Sequence, residues 1–115
     1  MNKIIVINND LDGMGLLKTW LESKGYQVTI TSSKDEMFSL IQQSRPGLVI
    51  ADIMQSQAVE ELKEDCTTVD IPVLLMSGYA MGHENIHLDV EDTIEKPFNL
   101  PLFAKKVDDL FQLRA

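Results

Sequence analysis

Three short runs, Ile4-Ile5-Val6-Ile7, Leu48-Val49-Ile50-Ala51 and Pro72-Val73-Leu74-Leu75-Met76, are apolar at every position and rich in branched side chains. A strand with one wet face alternates apolar and polar residues. A run without alternation is the pattern of a strand buried on both faces, as in a parallel sheet covered by helices. Each run gives way abruptly to polar residues: Asn8-Asn9-Asp10, Asp52, and Ser77 before Gly78.

Helical spacing fills the intervals. Met14, Leu17 and Leu21, with Leu16 and Trp20 broadening the stripe, predict a helix stopped at Gly25. Tyr26 to Thr31 alternates into a second strand. Ser33-Lys34-Asp35-Glu36 has the form of a capping box before Met37, Phe38 and Ile41, in a helix closed near Pro46-Gly47. Ala58 to Asp65 predicts a short helix, whereas His83 to Leu88 has little periodicity and is expected to be mobile. Thr93-Ile94-Glu95 predicts a brief last strand. Asn99 then caps a final helix, with Phe103, Val107 and Leu110 inward and Lys105, Lys106, Asp108 and Asp109 toward water. Strands alternating with helices, joined by right-handed crossovers, predict one doubly wound α/β domain over residues 1–115, with a parallel sheet of about five strands and helices on both faces.

Composition narrows the function. The 115 residues, 44% hydrophobic and 24% charged, suit one soluble domain. Lys plus Arg number 10 against 18 Asp plus Glu, and the net charge of −8 opposes direct binding to nucleic acid. The apolar run after Met1-Asn2-Lys3 is too short for a signal-peptide core or a membrane span, so a cytoplasmic protein without a membrane partner is expected. A single cysteine, Cys66, and two histidines, His83 and His87, supply neither a disulfide nor a zinc set. Gly13-Met14-Gly15 lacks the spacing of a nucleotide loop.

Ligands of open α/β sheets bind beyond the carboxyl ends of the strands. The residues there are Asn8, Asn9, Asp52, Ser77 and Lys96. A carboxylate, a hydroxyl and an ammonium converging at one edge suit phosphoryl chemistry: the carboxylate can attack phosphorus while the other two hold the transferred oxygens. Taken singly, each has a structural alternative. Asp52 can cap a loop or pair with Lys96, Ser77 can cap a turn, and Asn8 and Asn9 are ordinary turn residues. Trp20, Phe38, Phe98, Phe103, Phe111 and the methionines read as packing residues.

Three motifs in order, Leu48-Val49-Ile50-Ala51-Asp52-Ile53-Met54, Ile71-Pro72-Val73-Leu74-Leu75-Met76-Ser77-Gly78 and Glu95-Lys96-Pro97-Phe98, resemble the receiver domain of two-component response regulators. The resemblance implies a flavodoxin-like fold, with Asp52 as phosphoacceptor, Ser77 as the hydroxyl that follows the phosphoryl group and Lys96 as its charge partner. It also implies an acidic pair that joins the phosphoacceptor in holding Mg²⁺, and at those positions this chain has Asn8 and Asn9. With both charges absent, a metal site at Asp52 and Asn9 is expected to be weak or absent, and no cofactor is required. Thr93 stands where the family carries an aromatic switch residue. The expectation is an atypical, non-enzymatic receiver that acts as a signalling and protein-interaction module. Its partners would be a sensor kinase, a phosphotransfer or effector protein, or a second copy of itself. The competing expectations are a phospho-accepting receiver in a phosphorelay and an inert structural domain.

Overall fold

The computed structural model describes residues 3–8, 11–78, 90–96 and 100–112, with the backbone alone described at 11–13, 77, 78, 95 and 96. The elements are β1 (Lys3–Ile7), α1 (Leu11–Ser23), β2 (Gln27–Thr31), α2 (Lys34–Ser44), β3 (Leu48–Asp52), a 3-10 turn (Ile53–Gln55), α3 (Ser56–Glu64), β4 (Val73–Gly78), β5 (Asp92–Lys96) and α4 (Leu100–Gln112). The strands form one sheet in the order β2-β1-β3-β4-β5, and every neighbouring pair is parallel.

Strand parity divides the core. Ile4 and Val6, Leu48 and Ile50, and Leu74 and Met76 face Met14, Leu17 and Leu21 of α1 and Phe103, Val107 and Leu110 of α4. The intervening residues Ile5, Ile7, Val49, Ala51, Val73 and Leu75 face Met37 and Ile41 of α2 and Ala58, Val59 and Leu62 of α3. The three unalternating runs are therefore the central strands, buried on both sides. Each fully buried Leu, Ile or Val contributes about 1.5–3 kcal/mol of transfer free energy, which makes these runs the main source of cohesion.

Helix ends follow local chemistry. Gly25 takes φ 98°, a left-handed conformation cheap only for glycine. It closes α1 with two hydrogen bonds, from Gly25 N to Glu22 O (3.1 Å) and from Tyr26 N to Leu21 O (3.3 Å), the paired closure of a Schellman motif. Ser33 caps α2 by accepting from Glu36 N at 3.2 Å. The Ser33 N–H donates to Thr31 Oγ1 at 3.1 Å, so Thr31 supplies the acceptor that Glu36 would provide in a full capping box. α2 ends at Ser44, since Arg45 precedes Pro46 and the helical conformation is disfavoured there.

Some expectations need correction. Leu16 is 76% exposed, so the buried stripe of α1 is narrower than its apolar content implied. Met54 is 71% exposed and is no core residue. Lys106 and Asp108 do not simply face water: Lys106 Nζ reaches Asp92 at 3.0 Å, and Asp108 accepts the Tyr26 hydroxyl. Both contacts tie α4 to the sheet and to the end of α1. The mobile segment expected at His83 to Leu88, the cap at Asn99 and the packing of Phe98 lie outside the described residues.

Candidate functional site at the carboxyl edge of the sheet

The chain leaves β1 toward one side of the sheet and returns in β3 on the other, so the topological switch point lies between those two strands. Asp52 is the last residue of β3 and Asn8 the first after β1. Ile7 is in register with Ala51, which sets Asn8 level with Asp52, one strand spacing away, about 4.8 Å. Both side chains share the parity of the α1 and α4 face, and both are buried, with 3% exposure for Asn8 and 7% for Asp52.

On the other side of β3, Asp52 is in register with Met76, and Ser77 is the next residue along β4. Gly78 is in register with Lys96, the last residue of β5. The backbone thus brings Asn8, Asp52, Ser77 and Lys96 to the same edge of four adjacent strands. Asn9 lies outside the described residues. Thr93 sits farther back in β5, half-buried, in register with Leu75. Its N–H donates to Asp92 Oδ1 at 2.8 Å.

The Asp52 backbone is extended (φ −75°, ψ 147°), and the chain turns at once into the 3-10 segment Ile53–Gln55. Asp52 Oδ1 caps that turn, accepting from Met54 N at 2.9 Å. The carboxylate therefore has a structural duty beside any chemical one, which is the capping alternative raised by its strand-end position. Gln55, at the end of the turn, donates from Nε2 to Ser32 O at 3.3 Å. Neither Gln55 nor Thr31 is marked in the sequence, because each acts through loop contacts that carry no periodicity. At the opposite edge of the sheet, Lys63 Nζ gathers both oxygens of Glu91 (2.8 and 3.0 Å) and the Ile71 carbonyl (3.0 Å). Glu91 in turn accepts from Val73 N at 2.8 Å. This junction anchors the starts of β4 and β5, the strands that carry Ser77 and Lys96.

A parallel sheet of order 2-1-3-4-5 with helices on both faces is the flavodoxin-like doubly wound fold, here with acid, hydroxyl and amine residues aligned at its ligand-binding edge. Residues 4–108 match the response regulator receiver domain, and the chain belongs to that family of signalling modules. The response regulator SaeR of Staphylococcus aureus (strain USA300) is 25% identical over 118 residues, an alignment covering 96% of this chain and 50% of SaeR. The chain spans about half the length of the curated relatives it matches. A crystal structure of a putative response regulator from Chloroflexus aurantiacus J-10-fl superposes with a TM-score of 0.88 at 18% identity, covering 96% of this chain and 98% of the other. The receiver domain of the sensor histidine kinase PA1611 from Pseudomonas aeruginosa PAO1, solved with a magnesium ion coordinated in its active-site cleft, gives 0.85 at 14% identity, with 96% and 98% coverage. At such identities these structures establish the fold alone. No described helix is long and apolar enough to cross a membrane.

Proposed function

We propose that this receiver, a single domain over residues 1–115, is an atypical one in which phosphorylation at Asp52 is weak or absent and signalling proceeds through protein contacts. The observation that carries this reading is Asn8, a buried neutral amide level with Asp52 at the switch point. The donor set does not fit a strong Mg²⁺ site. Mg²⁺ gives up water reluctantly and relies on carboxylates for charge, whereas the described donors here are one carboxylate, with Oδ1 already accepting an N–H, and one amide. Asn9, outside the described residues, adds no formal charge.

Phosphorylation would form a bond between an Asp52 oxygen and phosphorus while the donor's bond to phosphorus breaks and its leaving group departs with the electron pair. The developing negative oxygens would rest on the Ser77 hydroxyl and the Lys96 ammonium. Phosphoryl transfer is mostly positioning and charge stabilisation, so a deficit of positive charge slows it even with the nucleophile in place. The ordered Asp52, Ser77 and Lys96 register favours a second reading, a phospho-accepting receiver in a phosphorelay. In either case the partners are a sensor kinase, a phosphotransfer or effector protein, or a second copy of the chain, and the location is the cytoplasm. The net charge of −8 argues against direct nucleic-acid contact by these residues.

Intact-mass measurement after exposure to a small phosphodonor, with and without Mg²⁺, tests the proposal on the parent and on Asp52→Asn. Little or no stable gain of one phosphoryl mass is expected under either condition. A rapid, Mg²⁺-dependent gain that disappears in Asp52→Asn overturns the proposal in favour of the second reading. Partner binding that is indifferent to changes at Asp52, Ser77 and Lys96 would point to an inert structural domain.

A further inference from the structure

We infer that Gln55 couples the charge state of Asp52 to the connection between β2 and α2, so that this side of the domain reads the site. Asp52 Oδ1 holds Met54 N at 2.9 Å and thereby fixes the turn Ile53–Gln55. From the end of that turn, the Gln55 carboxamide donates to Ser32 O at 3.3 Å. Ser32 immediately precedes the α2 cap, where Ser33 N–H donates to Thr31 Oγ1 and Ser33 Oγ accepts from Glu36 N. The first residue of α2, Lys34, is bonded at 2.5 Å to Glu61 on α3. Hydrogen bonds joined by the short covalent stretches Met54–Gln55 and Ser32–Ser33 therefore lead from the Asp52 carboxylate to the start of α2.

The direction of the effect follows from the acceptor. A carboxylate binds an N–H about twice as strongly as a neutral carbonyl does. Protonation or amide substitution of Asp52 removes the charge and leaves a weaker hold on Met54 N–H, and in an acyl phosphate the negative charge leaves the carboxyl oxygen for the phosphoryl oxygens, with the same effect on that bond. The turn loosens, and the strain is passed to Ser32 through Gln55. The biological meaning of this coupling rests on Asp52 being the regulated group, but the coupling itself is measurable without phosphorylation. Gln55 acts as a positioning residue in this scheme, through its hydrogen bond to Ser32 O.

Backbone amide hydrogen exchange, measured by NMR in metal-free buffer on the parent, Asp52→Asn, Gln55→Ala and the double variant, tests the inference. Asp52→Asn is nearly isosteric and removes a buried charge, so it is expected to fold. It should speed exchange at Met54 roughly fivefold, the factor supplied by one ordinary hydrogen bond, and at Ser33 and Glu36 about twofold. With Gln55→Ala already present, Asp52→Asn should still speed Met54 but should leave Ser33 and Glu36 unchanged. Exchange at Ser33 and Glu36 that ignores Asp52→Asn, or responds equally with and without Gln55, overturns the coupling, as does an unchanged Met54. These results are independent of the intact-mass outcome, so failure of the coupling and failure of the phosphorylation reading are distinguishable.

Discussion

Asn8→Asp puts a second carboxylate beside Asp52, at a position where its consequences can be worked out. Asn8 and Asp52 are level on neighbouring parallel strands, share a face and are both buried. Two carboxylates about 5 Å apart at an effective dielectric of about 20 repel by roughly 3 kcal/mol. Acidification relieves like-charge repulsion by protonating one member of a pair, so the penalty should shrink from pH 7 to pH 5. In a domain of this size, roughly 3 kcal/mol corresponds to a fall in melting temperature of about 10–15 °C. Mg²⁺ should return part of this loss: a ligand at ten times its Kd stabilises by about 1.4 kcal/mol. The assay is thermal and urea unfolding of parent and variant at pH 7 and pH 5, each with and without millimolar Mg²⁺. A variant within about 0.5 kcal/mol of the parent at pH 7 without metal would refute the buried, level placement of Asn8 and Asp52. A large penalty that Mg²⁺ leaves untouched would refute the claim that the missing charge is what weakens the metal site.

Glu91→Ala should cost about 2–4 kcal/mol in urea unfolding and Glu91→Gln only about 1–2 kcal/mol, because the amide keeps an acceptor for Val73 N while both variants remove the counter-charge of a Lys63 side chain that is 8% exposed. Equal losses would show that the Val73 bond contributes nothing. Ser33→Ala should cost about 1 kcal/mol by removing the α2 cap, while Ser33→Asp should stay near the parent; a Ser33→Ala loss below about 0.3 kcal/mol would mean the cap is replaced by water. The Tyr26 hydroxyl is pushed above its ordinary value by burial first and then by its hydrogen bond to Asp108. A pKa raised on folding gives stability that is complete below the unfolded value near 10 and is lost as pH rises toward the folded one. Melting scans from about pH 9 to 12 should therefore show an alkaline decline that Tyr26→Phe flattens, and an equal decline in the variant would assign it elsewhere.

The parts of the fold set by apolar pattern were readable because burial on both faces leaves no alternation. Leu48 to Ala51 could only be a central strand, and Asp52 marked its end. The edge positions of Asn8, Asp52, Ser77 and Lys96 followed from the same rule, since parallel strands all end toward the same side. What stayed hidden was contact between polar groups distant in sequence. Lys63 and Glu91 are 28 residues apart, and Gln55 and Ser32 are 23 apart. Neither pair leaves a periodic trace, and their meeting depends on how loops pack over a finished sheet. Leu16 misled for the converse reason: an apolar residue beside the stripe is counted by pattern whether or not the facing surface reaches it.

Asn8 and Thr93 bear on the proposed reading from different strands of the sheet. Thr93 provides no aromatic ring that could swing as a hydroxyl is engaged, and the strand around it is fastened by charge. Asp92 takes the Thr93 N–H through Oδ1 and holds the Lys106 ammonium of α4 through both oxygens, at 3.1 and 3.0 Å. With Lys106 and Asp92 both partly shielded, this ion pair resists displacement more than an exposed one would. The start of β5 is thus braced against α4, and it is also tied to α3 through Glu91 and Lys63. A brace on both flanks opposes the strand movement that an aromatic switch would require. On the other flank, Asp52 Oδ1 accepts from Met54 N and Gln55 donates to Ser32 O, hydrogen bonds that are easier to break and remake than the ion pairs that brace β5. On the inference drawn above, a change of charge at Asp52 meets less resistance through Met54 and Gln55, toward the start of α2, than through β5.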